Sequence, residues 1–376
     1  MKKIVFITGT RADYGKMKPL MKQVEESPSF EAYIYVSGMH LIEVLGETYH
    51  EVLKDGYENI HMAYGLANTR VASYDLGDTI CNLTGYVKKI KPDMIVVHGD
   101  RIDALAGAAV GALNNILVAH VEGGELSGTI DESLRHAVSK LAHVHFVSNS
   151  EAKDRLMQMG ELEENIHIIG SPDIDVMLSK NLPSIEDAKE RYEIDFDQYA
   201  ILMYHPVTTE YENLATHVKE VVDAVIESDK KYVVIYPNND SGYELILNEY
   251  KRFEGDQRFK VFPSVRFEYF LTLLKNADFI IGNSSAGIRE SGVYGIPDID
   301  IGTRQDRRYS LDTSKNIQHV NENKDDILKA INLINDYHLA SSQFGDGCSA
   351  SLFIKALMDM QIWNTKIQKS FVDFNM

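Results

Sequence analysis

The chain has 376 residues, a formal net charge of −18 at pH 7, 44% hydrophobic residues and 25% charged residues. This length exceeds what one hydrophobic core usually supports, so we expect two domains. The negative charge argues against nucleic acid as a partner. No stretch approaches the ~20 apolar residues of a membrane span, and the N-terminal apolar run is too short for a signal peptide. Only Cys81 and Cys348 occur, far apart, which favours a soluble, cytoplasmic, reduced protein.

The first half of the chain alternates between strand and helix patterns. Short apolar runs predict strands at residues 4–7, 33–36, 94–97, 116–119, 144–147 and 166–169. Amphipathic or small-residue segments predict helices over 17–24, up to residue 90, and over 104–113. About six such strand–helix units are typical of a doubly wound parallel sheet.

A second alternation follows a polar segment, residues 180–199, which contains Pro183 and which we interpret as a linker. Strands are predicted at 200–204, 232–236, 260–262, 279–281 and 299–301, and helices at 214–226, 243–253, 267–274 and 287–294. Residues 351–374 have a helical pattern. We therefore predict a first domain over 1–180, a second over 181–350, and a helical tail, 351–376, that packs on the first domain.

The stretch of residues 122–136 combines three glycines, several carboxylates and a predicted helix start. Glycines let a backbone approach a ligand closely, and such loops follow strands where α/β enzymes bind ligands. Thr129 and Glu132 have the spacing of a capping box. The helix would carry two (i, i+4) pairs, Asp131 with Arg135 and Glu132 with His136. So many titratable groups exceed what packing requires, although surface salt bridges explain any one pair equally well.

Polar clusters recur where the predicted strands end. In open parallel sheets the carboxyl ends of the strands line one crevice, so the convergence of these clusters predicts a functional site. One histidine after a strand is more often structural, but four at equivalent positions favour function. The clusters are Arg11/Asp13 followed by Lys16, His40, His98/Asp100/Arg101, His120/Glu122/Glu125, His205, Asn238/Asn239/Asp240 and Asn283/Ser284/Ser285.

The stretch of residues 282–290 is the clearest candidate anion site. Asn283 or Ser284 can cap the following helix and leave free N–H groups for a phosphate. Glu290 is placed to accept hydrogen bonds from a ribose, and Arg304 adds a possible phosphate contact. An ordinary capped helix with a surface glutamate is the alternative. Aromatic residues between 262 and 270 either hold a base or belong to the core.

Several common site signatures are absent from the sequence. The histidines lack zinc spacing, and neither a P-loop nor a G-x-S-x-G motif occurs. The full dinucleotide fingerprint is also missing, which argues against an oxidoreductase. A magnesium site through Asp100 or Asp103 is conceivable, but arginine and helix termini can neutralise a diphosphate without metal. We therefore predict no metal and no cofactor.

Several motifs together resemble the UDP-N-acetylglucosamine 2-epimerases, and most closely their hydrolysing, sialic-acid-pathway branch. The resemblance runs from the first strand to the tail and implies a GT-B architecture. In that architecture two Rossmann-like domains face a central cleft, the second holds UDP, and a C-terminal helix returns to the first. The motifs are Gly9-Thr-Arg-Ala-Asp13, His98-Gly-Asp-Arg101, His120-Val-Glu-Gly-Gly-Glu-Leu-Ser-Gly128, Asp131 with Arg135-His136, His205-Pro-Val-Thr-Thr209 and Gly282-Asn-Ser-Ser285.

The resemblance also implies roles for individual residues. The implied catalytic residues are Asp100, Glu122, Asp131 and His205. The implied contacts are Arg11, Ser284 and Ser285 for the diphosphate, Glu290 for the ribose, and Val265, Phe267 and Phe270 for uracil. The sugar and phosphate site is implied at His40, His98, Arg101, Arg135 and Arg304. We add Asp13, Lys16 and Asn238 from the clusters, and His136 from the stretch of residues 122–136, as predicted substrate contacts.

The implied reaction converts UDP-N-acetylglucosamine and water into N-acetylmannosamine and UDP through 2-acetamidoglucal, the first step of sialic acid biosynthesis. One alternative keeps this chemistry and changes the sugar to UDP-2,4-diacetamido-2,4,6-trideoxyhexose, on the legionaminic acid route. A GT-B glycosyltransferase needs at most one base, so three carboxylates in the first domain disfavour it. A binding module without catalysis is disfavoured because all four implied catalytic residues are present. The resemblance further implies a homodimer or homotetramer.

Overall fold

A computed structural model describes residues 1–42, 47–64, 71–127, 130–238, 240–309, 311, 314–341 and 343–373. The chain divides into two compact units. Unit 1 is Met1–Leu178 with Phe344–Met376, and unit 2 is Ser179–Gln343. The sequence placed these boundaries slightly later, after residues 180 and 350. Within the described ranges, each helix is either too short or insufficiently apolar to cross a membrane.

Unit 1 contains a parallel sheet of seven strands in the order β3-β2-β1-β4-β5-β6-β7. The strands are β1 (Lys2–Thr8), β2 (Phe30–Val36), β3 (Ile60–Met62), β4 (Met94–His98), β5 (Leu117–Val121), β6 (Val144–Val147) and β7 (Ile166–Ile168). The sequence missed β3, a half-buried edge strand of three residues without an apolar run.

The first seven helices of unit 1 are α1 (Arg11–Glu25), α2 (Tyr49–Lys54), α3 (Ala72–Ile90), α4 (Ile102–Leu113), α5 (Ile130–Leu141), α6 (Ser150–Gln158) and α7 (Pro172–Met177). The prediction that the first helix begins at residue 17 is wrong. Thr10 and Asp13 form a capping box that starts α1 at Arg11, so Arg11 and Lys16 are helical residues rather than turn residues.

Side chains from β1 pack on both faces of the sheet, as a doubly wound unit requires. Ile4 and Phe6 join the core with Met17 of α1. Val5 and Ile7 join the core on the opposite face. This alternation explains why the strand reads as a continuous apolar run in the sequence.

Unit 2 contains a parallel sheet of six strands in the order β10-β9-β8-β11-β12-β13. The strands are β8 (Ala200–Met203), β9 (Tyr232–Ile235), β10 (Phe259–Phe262), β11 (Ile280–Gly282), β12 (Asp298–Ile301) and β13 (Ile317–Val320). The helices are α8 (Ile185–Arg191), α9 (Leu214–Glu227), α10 (Tyr243–Tyr250), α11 (Phe267–Lys275), α12 (Ser285–Ile288), α13 (Glu290–Tyr294) and α14 (Lys324–Asn332).

Two predictions for unit 2 are wrong in detail. The segment interpreted as a linker contains α8, because Ser184 and Asp187 form a capping box that the polar composition concealed. The single helix predicted over 287–294 is two short helices, α12 and α13, which are separated at Arg289. The strand β13 was not predicted.

The C-terminal segment of unit 1 contains two helices, α15 (Ser349–Met358) and α16 (Met360–Trp363). Phe353 packs between Phe6 and Phe146, with ring centroids 6.3 and 4.6 Å away. The prediction of helix up to residue 374 is wrong beyond Trp363, and residue 374 itself lies outside the described residues. The irregular segment places the Lys369 ammonium against the carbonyl oxygens of Lys140 and Ala142, at 3.0 and 2.6 Å.

We expect Phe353→Ala to destabilise unit 1 by about 3–5 kcal/mol, because it leaves a cavity between two aromatic rings. Leu352→Ala, at an adjacent position that is 39% exposed, should change stability by less than about 0.5 kcal/mol. Urea unfolding followed by circular dichroism measures both. Equal effects of the two substitutions would show that α15 does not contribute to the hydrophobic core of unit 1.

Candidate active site

Adjacent strands of unit 1 bring two predicted residues into contact. β4 and β5 are neighbours and parallel, so their carboxyl ends lie at the same edge of the sheet. His98 ends β4, and Glu122 follows β5 directly. The Nε2 atom of His98 lies 3.1 Å from a carboxylate oxygen of Glu122. Residues from two of the predicted clusters, at the ends of different strands, therefore meet in the structure.

The Glu122 carboxylate is nearly inaccessible to solvent, with 2% of the residue exposed. The hydroxyl of Ser171 donates a hydrogen bond to it. The ammonium of Lys16 lies 4.0 Å from this carboxylate and 3.0 Å from that of Asp173. Glu122 also has a φ of +60°, a conformation that is costly for a residue with a side chain and that is concentrated at functional sites. Three side chains, those of His98, Ser171 and Lys16, thus surround the Glu122 carboxylate.

Arg135 of α5 joins the loops that follow β4 and β5. Its buried guanidinium forms ion pairs with Asp100 and, at 3.1 Å, with Glu125. It also donates to the carbonyl oxygen of Glu122 at 3.1 Å. Burial opposes the charge of Arg135, but Asp100 and Glu125 outweigh burial and raise its pKa. Ser148 supports the same network by donating to Glu125 at 2.8 Å.

The local pairs predicted for α5 are only part of this arrangement. His136 does lie 3.8 Å from Glu132. The capping box predicted from Thr129 falls on a residue outside the described ones, and Glu132 accepts a hydrogen bond from the amide of Ser127 at 2.8 Å. Asp131 is half-buried in the first turn of the helix.

His40 and Asp13 occupy interior positions next to the turn after β1. The two ring nitrogens of His40 lie 2.9 Å from the Thr8 hydroxyl and 2.8 Å from the Thr48 hydroxyl. Asp13 accepts hydrogen bonds from the Thr8 hydroxyl at 2.5 Å and from the Gly9 amide at 3.1 Å. Both side chains are therefore engaged with protein groups, and their predicted contact with substrate stays a prediction.

The two arginines predicted for unit 1 besides Arg135 are more accessible. Arg11 is half-buried in the first turn of α1, and its guanidinium lies 3.9 Å from Glu51. Arg101 is exposed immediately before α4. Both follow strands at the edge where Glu122 lies, as the cluster prediction requires.

Asp103, which the sequence suggested as a conceivable magnesium ligand, lies beneath a glycine turn. Its carboxylate accepts a hydrogen bond from Ser37 at 2.5 Å. A Cβ atom at Gly9 would come within 2.1 Å of this carboxylate, so only glycine fits there. Burial raises the pKa of Asp103 to about 6. The residue supports the backbone of the turn after β1.

Ser171 and Asp173 were missed by the sequence analysis. They follow β7 at the same edge of the sheet as the other clusters, so a polar residue after a strand was again the available signal. The amide of Ser171 donates to the carbonyl oxygen of Phe344 at 2.7 Å. The side chain of Ser171 is thereby fixed toward Glu122.

In unit 2, the neighbouring strands β8 and β11 bring together His205 and Asn283. The amide of His205 donates to the Asn283 side chain at 2.7 Å, and that side chain donates back to the His205 carbonyl at 2.9 Å. A Cβ atom at Gly282, where φ is +138°, would lie 2.0 Å from the Met203 carbonyl oxygen. Glycine is therefore needed where these two strand ends approach.

The imidazole of His205 has a defined orientation. Its Nδ1 accepts a hydrogen bond from the Asn238 amide at 3.0 Å, so the proton of the neutral ring is on Nε2. Burial, assisted by Arg304, lowers the pKa of His205 to about 3. The ring is therefore a neutral donor at pH 7. Asn239, in the same predicted cluster, lies outside the described residues.

The loop after β11 carries the predicted anion-binding groups. Ser284 caps α12 by accepting the amide of Ala286, and Ser285 begins the helix. Arg304 and Gln305 donate to the Asn283 carbonyl oxygen at 3.1 and 2.8 Å. Gln305 was not predicted.

The residues predicted to contact ribose and uracil lie on other elements of unit 2. Glu290 is buried at the start of α13. Val265 and Phe270 are each 6% exposed and Phe267 is half-buried, all near the start of α11. Their roles stay predictions.

Possible metal ligands converge at one place among the described residues. Ligand atoms of Glu210, His217 and Glu322 in unit 2 lie within 4.8 Å of one another. None of the predicted catalytic residues belongs to this group.

We expect His205 to make unit 2 less stable in acid. In the unfolded chain the His205 imidazole is protonated near pH 6.5, whereas in the folded chain it is protonated only near pH 3. The stability that is present above pH 6.5 is therefore lost as the pH falls toward 3. His205→Gln should reduce the slope of unfolding free energy against pH in this window by up to about 1.4 kcal/mol per pH unit. Urea unfolding at several pH values tests this, with exposed His338→Gln as control. Identical slopes for wild type and His205→Gln would contradict it.

Comparison with known proteins identifies the relationship. The family model described as UDP-N-acetylglucosamine 2-epimerase matches residues 22–358. A UDP-N-acetylglucosamine 2-epimerase of Neisseria meningitidis serogroup B is 45% identical over the whole length of both chains. A UDP-N,N'-diacetylbacillosamine 2-epimerase (hydrolyzing) of Legionella pneumophila is 33% identical over 88% of each.

The fold is shared as well. A Methanocaldococcus jannaschii UDP-GlcNAc 2-epimerase, solved in complex with UDP-GlcNAc and UDP, aligns with a TM-score of 0.81 at 24% identity, covering 95% of this chain and 99% of the other. The predicted fold class, two parallel α/β units of the GT-B type, is confirmed. The resemblance inferred from the motifs is also confirmed: this chain belongs to the UDP-N-acetylglucosamine 2-epimerase family.

Proposed function

We propose that this protein is a hydrolysing UDP-N-acetylglucosamine 2-epimerase that produces N-acetylmannosamine and UDP, the first step of sialic acid biosynthesis. The observation that carries this proposal is the buried carboxylate of Glu122, which lies 3.1 Å from His98. Asp100 is held close to it, because Arg135 pairs with Asp100 and also donates to the Glu122 carbonyl oxygen. The name of the Neisseria relative supports the substrate, and that of the Legionella relative supports hydrolysis.

The chemistry requires two kinds of assistance. The hydrogen at C2 of the sugar has no adjacent carbonyl group, so a base alone cannot remove it at neutral pH. As the C1–O bond to UDP breaks, positive charge develops at C1 and makes the C2 hydrogen acidic. The proton passes to a base, UDP leaves, and 2-acetamidoglucal forms. Hydration then adds water at C1 and returns a proton to the opposite face of C2. Catalysis therefore needs stabilisation of the diphosphate and properly placed carboxylates.

We assign the diphosphate to groups of unit 2. The neutral ring of His205 can donate a hydrogen bond from its Nε2 atom. Because the ring is uncharged, the free enzyme needs no counterion for it. Ser284 and Ser285, at the start of α12, supply hydroxyl and amide donors. Arg304 supplies a positive charge against the pyrophosphate.

We assign the proton transfers to carboxylates of unit 1. Glu122, Asp100 and Asp131 share removal of the C2 proton, its return and activation of water. Ser171 and His98 limit the motion of the Glu122 side chain, which places its oxygens reproducibly. Arg135 stabilises Asp100 as a carboxylate by a direct ion pair.

The second candidate is the same reaction on UDP-2,4-diacetamido-2,4,6-trideoxyhexose. The Legionella relative, at 33% identity, carries the name of an epimerase for such a sugar. The higher identity to the Neisseria protein favours the glucosamine substrate. The expected homodimer or homotetramer stays a prediction.

Incubation with UDP-N-acetylglucosamine in D₂O should yield UDP and free N-acetylmannosamine with deuterium at C2, because elimination exchanges that hydrogen with solvent. Proton NMR of the product measures the label. Retention of the C2 proton would contradict elimination, and UDP-N-acetylmannosamine as the sole product would contradict hydrolysis. A parallel reaction with the diacetamido sugar distinguishes the second candidate, which predicts faster turnover of that compound.

Glu122→Gln should lower kcat by at least about a hundredfold, because the amide keeps the size of the side chain but cannot accept the proton. Binding of UDP, measured by calorimetry, should change by less than about twofold if Glu122 acts only on the sugar. Glu163→Gln, on an exposed ion pair with Lys153, is the matched control and should retain full activity. Collapse of UDP affinity in Glu122→Gln would assign Glu122 a structural role instead.

A further inference from the structure

A cluster in unit 2 that the reaction does not use consists of Glu210, His217 and Glu322. These residues come from the turn Thr208–Glu210, the first turn of α9 and the loop after β13. Nδ1 of His217 lies 3.9 Å from Oε2 of Glu210 and 3.5 Å from Oε1 of Glu322. Both distances are within ion-pair range but longer than those of ordinary hydrogen bonds. Three possible metal-ligand atoms from separate parts of the sequence thus surround one point, and the imidazole makes a long ion-pair contact with each carboxylate.

The Glu322 carboxylate supplies a second, independent observation. Its side chain is 9% exposed, and its buried Oε1 atom has no hydrogen-bond partner within the part of the chain that the structure describes. This is the same atom that faces His217. Burying a carboxylate oxygen without compensation is costly. A ligand that supplies positive charge at this point removes that cost.

The surrounding groups orient the two carboxylates. The Thr303 hydroxyl donates to Oε1 of Glu210 at 2.5 Å, which leaves Oε2 turned toward His217. The Tyr204 hydroxyl lies near the Glu322 carboxylate. A Cβ atom at Gly302, where φ is +75°, would lie 2.0 Å from Oε1 of Glu322, so glycine is required for that oxygen to occupy its place. Metal ligands are commonly oriented by such supporting hydrogen bonds.

We propose that Glu210, His217 and Glu322 bind a divalent cation of the Mn²⁺ or Zn²⁺ class. Two carboxylates and one neutral imidazole carry the charge that balances a dication, and both ions accept this mixture of oxygen and nitrogen ligands. Metal–ligand bonds of ~2.0–2.2 Å separate neighbouring ligands by about 3–4 Å, which agrees with the observed spacings.

The cation connects loops that carry candidate diphosphate ligands without taking part in the chemistry. Glu210 is five residues after His205, and Thr303 precedes Arg304. A bound ion would fix the loop after β8 to α9 and to the loop after β13. The site does not depend on which reaction the protein catalyses.

Metal-free wild-type protein, prepared with a chelator and without nucleotide, should bind one equivalent of Mn²⁺ or of Zn²⁺ per chain by calorimetry. At about a hundredfold excess over Kd, the ion should raise Tm by about 5–10 °C. Bound Mn²⁺ should show magnetic coupling to one imidazole nitrogen in pulsed electron paramagnetic resonance. The absence of stoichiometric binding of both ions would overturn the proposal and leave the three side chains as a structural contact only.

The variants His217→Gln and Glu322→Gln should each weaken binding at least about tenfold. His338→Gln, at an exposed position, and Glu249→Gln, at a half-buried position remote in sequence from the cluster, are the controls and should bind as the wild type does. Binding that survives both ligand substitutions unchanged would place the ion elsewhere and overturn the assignment. If one variant does not fold, the other variant and the nitrogen coupling in the wild type decide the question.

Discussion

The buried guanidinium of Arg135 organises the candidate site of unit 1. An arginine that is 4% exposed must be paired, since an isolated buried charge costs several kcal/mol. Its partners, Asp100, Glu125 and the Glu122 carbonyl, lie in the loops after two adjacent strands. One side chain therefore sets the relative positions of both loops. The same contacts orient the Glu122 backbone, which adopts a positive φ that a free loop would avoid.

The sequence was most informative for features that depend on residues close together in the chain. Apolar runs located nearly all the strands, and polar residues after them identified Glu122, His98 and His205. The (i, i+4) rule proposed Asp131 as a partner of Arg135, but Asp100, 35 residues away, forms the ion pair. That contact depends on strand order, which places β4 beside β5, and strand order is not encoded in any short stretch.

The elements that were missed share a different cause. The helix α8 lies in a polar stretch and is held by a capping box rather than by an amphipathic pattern. Ser171 gains its role through contacts with Phe344 and Glu122, which are 173 and 49 positions away. Capping contacts and long-range hydrogen bonds determine the helix α8 and the position of Ser171. A hydrophobic periodicity of 2 or 3.6 residues carries no information about such contacts.

The distribution of charge is compatible with the anionic substrate that we propose for this acidic chain. In unit 1, Lys16 and Arg135 already face carboxylates, so they have little capacity to neutralise a diphosphate. In unit 2, neutral groups such as His205 and Ser284 require no countercharge before the ligand arrives, and burial costs them little. The proposed recognition of a diphosphate by neutral donors near Arg304 is therefore compatible with a net charge of −18. The attraction would be local, and the long-range repulsion is screened beyond about 8–10 Å.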